Sequence, residues 1–411
     1  MIDDQLKKDK FQKGFKKIFS KEWNYGQINV RSINFGSLKF TSYYDRKNIL
    51  RRYLLSAIIG AIIGVFSFFF LQNAGIYNLG IFGLFQGISR LVFFEMTFSG
   101  YSQYQTKIVF NLLFWSLNLF FNIPFAFFGY FKVGKQFAII SIINIISGTI
   151  TGLIISSIPQ LNNFFIFGDP LTFNQELRAA NIQILLWHNV QKLSSGEFVN
   201  DSSRVVIILI YGLATGFFTS FPAALIFILG GCRGGLDWYL FYYSKKTMKF
   251  FGVVTMYINL VITFVSFILG SFIPYAIFVN HSPDWTGRRV VDVQNLFSPV
   301  LLATLLSAFI RKQVTQKFYP QYDVVSLKIY TDKIEEIREV FLAEKLAHAF
   351  TINRSIGGYS LKSHPNIEIV CFYKEVPKIT EMVRKYDEHC LIITNRVISI
   401  QGNFRVQSDL D

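Results

Sequence analysis

The sequence predicts an α-helical polytopic membrane domain built by internal duplication, followed by a small α+β domain. Three observations carry this prediction. Hydrophobic residues make up 51% of the 411, with 46 phenylalanines among them. Several apolar runs reach the roughly 20 residues that cross about 30 Å of hydrocarbon as helix. Glycine pairs recur at a fixed offset through the apolar part, and the composition turns polar beyond Arg311-Lys312.

Residues 1–50 form a basic extension. Lys7, Lys8, Lys10, Lys13, Lys16, Lys17, Lys21, Arg31, Lys39, Arg46 and Lys47 lie there, opposed only by Asp3, Asp4, Asp9, Glu22 and Asp45. With Arg51 and Arg52 they make a cytoplasmic flank that can touch anionic lipid headgroups. The net charge of +15 is therefore topology and surface adhesion, and nucleic acid is not an expected partner. No cleaved signal peptide is expected, because the first apolar run begins only after this polar stretch.

The membrane domain is expected over 51–311. Its spans are Tyr53–Leu71, Ile108–Phe131, Phe137–Ile158, Val205–Leu229, Phe251–Phe278 and Leu296–Ile310. Gly60-x3-Gly64 in the first span matches Gly212-x3-Gly216 at an offset of 152, and Gly80-x2-Gly83 matches Gly231-x2-Gly234 at 151. Paired glycines let helices approach closely, and two pairs in register with two glycine breaks indicate a duplication with halves at about 51–158 and 205–311. Residues 159–204 join them. If the glycine segments only dip into the bilayer there are six spans and inverted halves, and Arg51-Arg52, Lys132/Lys135, Lys245/Lys246/Lys249 and Arg311-Lys312 all face the cytoplasm. If they cross, there are eight spans, the halves are parallel, and Lys132 and Lys135 face outward. Both arrangements place the two termini in the cytoplasm.

The glycine segments are the candidate site. Gly230-Gly231-Cys232-Arg233-Gly234-Gly235-Leu236-Asp237 combines broken backbone with charge at membrane depth, which persists mainly where it lines a cavity. Arg233 and Asp237 stand four apart. On a helix they would share a face, as an internal ion pair, as a pair in which Arg233 receives an anionic group while Asp237 orients it or binds a cation, or as two solvated residues at the cytoplasmic interface. The substrate-binding candidates are Gly230, Gly231, Arg233, Gly234, Gly235 and Asp237, with Gly80 and Gly83 from the first half and Asn122 from an apolar span. Asn122 and Asn259 occupy about corresponding positions of the halves, where inter-helix hydrogen bonding is the alternative role. Arg90 can join the site or snorkel to the interface.

Cys232, Cys371 and Cys390 are far apart, and the five histidines are scattered. No metal spacing, nucleophile–base arrangement, phosphate loop or dinucleotide fingerprint is present. No enzyme, cofactor or metal is expected.

Beyond 321 the order reads strand Val324–Tyr330, helix Lys333–Leu346 capped by Asp332, strand Phe350–Asn353, turn Gly357-Gly358, strand Ile367–Tyr373, helix Val376–Tyr386 and strand Leu391–Thr394. This βαββαβ order predicts a ferredoxin-like sandwich over 321–411. Gly357, Gly358 and Tyr359 are either turn chemistry or a loop that responds to a regulatory ligand.

The chain resembles the YitT family of bacterial membrane proteins. The residues that carry the match are Asn122-Ile123-Pro124, Gly129 to Lys135, the Gly230–Asp237 cluster with Ser244-Lys245-Lys246-Thr247, Gly357-Gly358-Tyr359-Ser360, Glu375-Val376-Pro377-Lys378 and Gln401-Gly402-Asn403-Phe404. The resemblance covers roughly residues 50–405. It implies a membrane module carrying its own C-terminal domain. Two departures stand out: Cys232 and Arg233 replace small neutral residues, and the first-half cluster is reduced to Leu79-Gly80-Ile81-Phe82-Gly83. The expected function is a plasma-membrane permease for a small anionic or zwitterionic solute, regulated by the cytosolic domain. The alternative is a membrane-anchored sensor or scaffold that moves nothing. Expected partners are the lipid bilayer, anionic headgroups, a small-molecule ligand of the cytosolic domain and, as a further option, a second copy in a homo-oligomer.

Overall fold

A computed structural model describes residues 48–161, 164–167, 190–192, 198–200, 203–247, 252–274, 298–319, 324–344, 349–356 and 363–399. The basic residues up to Lys47, most of 159–204, and Gly357, Gly358 and Tyr359 lie outside the described residues.

The first half is helical. Helix α1 (Ile49–Ser67) opens on Asn48, whose side chain accepts from the Arg51 amide, and it continues as a π-helical stretch, Phe68–Asn73. After a non-helical break come α2 (Ile81–Phe98), α3 (Gln103–Lys132) and α4 (Lys135–Ser156). Ser102 and Gln105 cap α3 reciprocally, which satisfies donors that a helix start otherwise leaves open. A short antiparallel pair, β1 (Val190–Lys192) and β2 (Phe198–Asn200), precedes the second half.

That half contains α5 (Ser203–Ile228), a second break, α6 (Asp237–Thr247), α7 (Gly252–Phe267) running on as π-helical Ile268–Phe272, and α8 (Pro299–Phe318). Among the described residues, five helical stretches are long and apolar enough to cross a membrane: Ile49–Asn73, Ile81–Phe98, Tyr104–Lys132, Lys135–Ser156 and Val205–Ile228. Tyr257–Phe272 is apolar but shorter. The two glycine breaks thus lead into different structures: the first into an 18-residue helix of spanning length, the second into an 11-residue one.

The paired glycines pack alike in both halves. A Cβ on Gly60 would overlap the Asn144 carbonyl of α4, and one on Gly64 would sit 2.5 Å from the Gly148 carbonyl. In the second half, a Cβ on Gly212 would lie 2.7 Å from the Ala303 carbonyl of α8, and one on Gly216 would lie 2.8 Å from Ile310. Each half's first helix therefore lies backbone to backbone against its last. In lipid, such contact is gained through dispersion, because there is little hydrophobic drive between helices.

The cores join the halves. One cluster sets Phe70, Leu71, Ile76, Tyr77 and Phe94 against Ile208, Tyr211, Phe267 and Val300. Another sets Ile59, Phe137, Ala138 and Ile140 against Phe227, Leu229, Cys232, Trp238 and Phe241. Each half's break is buried against helices of the other half.

The C-terminal region holds a four-stranded antiparallel sheet, β3 (Val324–Tyr330), β4 (Phe350–Ile356), β5 (Ser363–Phe372) and β6 (Leu391–Arg396), in the order β4-β5-β3-β6. Helices α9 (Ile334–Ala343) and α10 (Val376–Arg384) complete it. Alternation decides the buried face: Val325, Leu327 and Ile329 sit opposite Cys371, Ile369 and Ile367, and all six are buried. Ile334, Ile337 and Phe341 of α9 and Val376, Ile379, Met382 and Val383 of α10 add buried apolar side chains. At the start of α9, Lys333 stands at the N-cap and no side chain caps the helix, so Asp332 does not serve as expected, and the turn before it is held by Thr331. Its hydroxyl accepts from the Lys333 amide at 3.1 Å and bonds the Asp387 carboxylate at 2.6 Å.

The two cysteines of this region differ in reactivity. Burial, and then the Glu375 carboxylate, pushes the Cys371 thiol up to about 12, while Cys390 is half-exposed and raised by burial and Asp387. Thiolate is the reacting species, so iodoacetamide at pH 8 is expected to modify Cys390 first and Cys371 only on unfolding. Mass spectrometry of timed samples checks this, and equal labelling rates would refute it.

Candidate functional site

The second break begins where α5 runs out. Gly230, at φ +82°, ends the helix: the Gly230 amide donates to the Phe227 carbonyl and the Gly231 amide to the Ile226 carbonyl, each at 3.0 Å. This is a Schellman end, and the left-handed residue it requires is a glycine. The released backbone groups are then taken up by first-half side chains. Arg52 donates Nη2 to the Leu229 carbonyl at 2.5 Å and Nη1 to Gln136 at 3.0 Å. Ser141 accepts from the Cys232 amide at 2.8 Å. The Asn122 carboxamide oxygen accepts from the Gly235 amide at 2.6 Å and from Trp238 Nε1 at 3.0 Å.

The first break is held in the mirror sense. Gln86, fully buried on α2, reaches back to accept from the Asn78 amide at 2.9 Å and to donate to the Ile76 carbonyl at 2.6 Å. Helix α8 of the other half does the rest. Thr304 accepts from the Tyr77 amide at 3.3 Å, and Arg311 Nη1 donates to Asn78 Oδ1 at 3.0 Å. Arg311 Nη2 also donates to Thr219 on α5 at 3.0 Å.

Between the two breaks lies a cavity of about 190 Å³. Gly80 and Asn78 of the first break and Arg233, Gly234, Gly235 and Asp237 of the second line it, with Asn259 and Thr263 of α7 and Arg311 and Lys312 of α8. Its volume is below the roughly 300–1,000 Å³ of sites for drug-sized ligands. Three cationic residues, Arg233, Arg311 and Lys312, and one carboxylate, Asp237, are among its lining residues. Asp237 is in Coulombic range of both Arg233 and Arg311, and the two arginines feel one another.

The sequence candidates are divided by this geometry. Arg233, Gly234, Gly235, Asp237 and Gly80 line the cavity, and Asn259 does so with them. Gly230, Gly231, Gly83 and Asn122 are not among its lining residues. They shape the breaks: a Cβ on Gly231 would lie 2.7 Å from Ile140, and one on Gly234 2.5 Å from Asn122. Arg233 and Asp237 do not share a helix, since Arg233 precedes α6 and Asp237 starts it. No ion pair joins them; among the described residues, ion pairs are found in the C-terminal region. Arg90 is buried, not at an interface, with its guanidinium carbon 4.2 Å from the centroid of the Tyr77 ring.

Arg52, Arg311 and Lys312 were legible only as positive flanks of the spans. A finer signal exists for Arg311. Thr304, Ser307, Arg311 and Thr315 recur at spacings of three and four along a helix whose first three turns are otherwise apolar, marking a polar stripe that faces inward.

Residues 348–402 match the family model described as "Uncharacterized protein conserved in bacteria (DUF2179)". Over 409 residues the chain is 30% identical to "Uncharacterized protein MG443" of Mycoplasma genitalium, an alignment covering 97% of this chain and all of the relative. It is 31% identical over 382 residues to the MG443 homolog of Mycoplasma pneumoniae, covering 90% of this chain and 92% of that one. "Uncharacterized protein MG432" of Mycoplasma genitalium is 28% identical over 370 residues, 89% of this chain and 90% of the relative. No solved structure matches the chain.

Proposed function

The chain belongs to the family of the Mycoplasma genitalium protein MG443, and we propose that it is a multi-pass permease of the plasma membrane for a small anionic or zwitterionic solute. One observation carries this reading: both glycine breaks, one from each half, line a single cavity that Arg233, Arg311, Lys312 and Asp237 also line. Broken helices that meet between repeats are how many secondary transporters build their sites. The matching glycine contacts, Gly60 and Gly64 on α4 and Gly212 and Gly216 on α8, support the duplication that such a mechanism needs. Movement of one half against the other would open the cavity alternately to each side.

We read the C-terminal domain as regulatory and ferredoxin-like. Its order, with β3 between β5 and β6 and both α9 and α10 crossing over, is that of a βαββαβ sandwich. The DUF2179 match supports placing the whole chain with the YitT type of membrane protein. Both termini are assigned to the cytoplasm, the basic N-terminus to anionic headgroups, and no catalytic step to any residue. A homo-oligomer is compatible with this reading.

Uptake of a panel of labelled anions and amino acids into proteoliposomes tests it. Wild type is expected to move at least one solute, Arg233→Ala to lose that uptake by about a hundredfold, and Asp237→Asn to alter it by tenfold or more, as for buried charged contacts to a ligand. If nothing in the panel moves, the permease reading falls and the sensor reading replaces it.

A further inference from the structure

Helical serines and threonines in this protein follow a habit. Thr97, Thr106, Ser141, Thr219, Ser266 and Thr304 each donate to the carbonyl four residues back, at 2.6–3.0 Å. Thr263 departs from it. It is 1% exposed, and its hydroxyl has no hydrogen-bond partner. Arg311 Nε, a charged donor shielded from water, has none either, although both Nη groups are bonded. Buried polar atoms are normally matched, so each such exception calls for a cause. Both residues line the same cavity, whose charged lining residues are three cations and one carboxylate.

We propose that the cavity is an anion site selective for a small dianion, such as inorganic phosphate or a short dicarboxylate, with Arg311 Nε and the Thr263 hydroxyl as donors and Arg233 as the second cation. The inference rests on the reading of the cavity as a solute site and narrows its ligand. Two positive charges are left unmatched when Asp237 is set against Arg233, Arg311 and Lys312. These residues are half-buried, so water screens that imbalance only in part, and a dianion removes what remains. A zwitterion brings no net charge and leaves it in place. The donors suit oxyanions, because guanidinium and hydroxyl groups offer hydrogens and the lining threonine needs an acceptor.

Binding to the detergent-solubilised full-length protein tests this directly, by calorimetry with phosphate, succinate, acetate and alanine as probes. Phosphate or succinate is expected to bind at least about tenfold more tightly than acetate or alanine, the effect of one further charge-assisted contact. Arg311→Gln also disturbs Asn78 and Thr219, so Thr263→Val carries the test. It removes a hydroxyl that bonds nothing in the protein and keeps its shape. Its melting temperature without probe is expected to equal or exceed that of wild type, while dianion affinity falls by about tenfold or more. Arg233→Gln is expected to abolish dianion binding.

The inference is overturned if acetate or alanine binds as tightly as the dianions, if no probe binds, or if Thr263→Val binds as wild type does. Dianion binding without uptake would remove the permease reading alone. Uptake of a zwitterion without dianion binding would remove only the present inference.

Discussion

Leucine in place of Gly60 or Gly212 is expected to prevent the protein from being recovered as a folded, monodisperse species. At Gly60 even one methyl group would overlap the Asn144 carbonyl, and at Gly212 it would lie 2.7 Å from the Ala303 carbonyl. Both obstacles are backbone, which cannot swing aside as a side chain can, so the helix pairs α1–α4 and α5–α8 must separate along their length. Overpacking a core typically costs about 1–3 kcal/mol, and forcing two backbones apart exceeds that range. Gly100→Ala is the control. A Cβ there meets nothing within 4 Å, so only its left-handed φ of +81° is penalised, by about 1–2 kcal/mol. Size-exclusion profiles after detergent extraction, with thermal unfolding midpoints, check the ranking. Equal behaviour of the leucine and alanine variants would show that close helix contact is not what holds each half.

Arg52→Ala is expected to destabilise the protein by about 3–6 kcal/mol, from two charge-assisted hydrogen bonds worth roughly 1.5–3 kcal/mol each. Arg52 is buried, and its guanidinium bridges Gln136 on α4 and the Leu229 carbonyl at the end of α5. That carbonyl lies at the negative end of a helix dipole, where a cation is favourable. Lysine carries the charge but not the fork, so Arg52→Lys is expected to restore less than half of the loss. The adjacent Arg51 is exposed, and Arg51→Ala is expected to stay within about 0.5 kcal/mol. Denaturation of the three variants in parallel decides the matter; similar losses at 51 and 52 would reduce Arg52 to a topology marker.

The contrast between those neighbours shows what the sequence could and could not reveal. Apolar runs gave the helices because burial in lipid depends on composition, and the glycine pairs were legible because close approach needs small residues at fixed spacing. Helix α2 was harder. Gln86, Ser89, Arg90 and Glu95 interrupt its apolar character, yet the first three are buried, with Gln86 closing the break and Arg90 against Tyr77. Arg52 and Arg311 read as flanks because a positive residue at a span's end has one local meaning; their use inside depends on partners 177 and 233 residues away. Arg233 and Asp237 were paired on an assumed helix, and the positive φ of Gly230, Gly234 and Gly235 rules that helix out. Asp332 was the obvious cap by type, but Lys333 holds the N-cap position and no side chain caps α9.

The crosswise holding of the two breaks also sets a timetable for biosynthesis. Tyr77 and Asn78 find their partners in Thr304 and Arg311, 227 and 233 residues later in the chain. At roughly 5–20 residues per second, the ribosome needs on the order of 10–45 s to deliver them. Until then the Tyr77 amide and the Asn78 side chain lack these partners, and the break is held only by contacts within the first half such as those of Gln86. The first break is therefore completed only once α8 has been made.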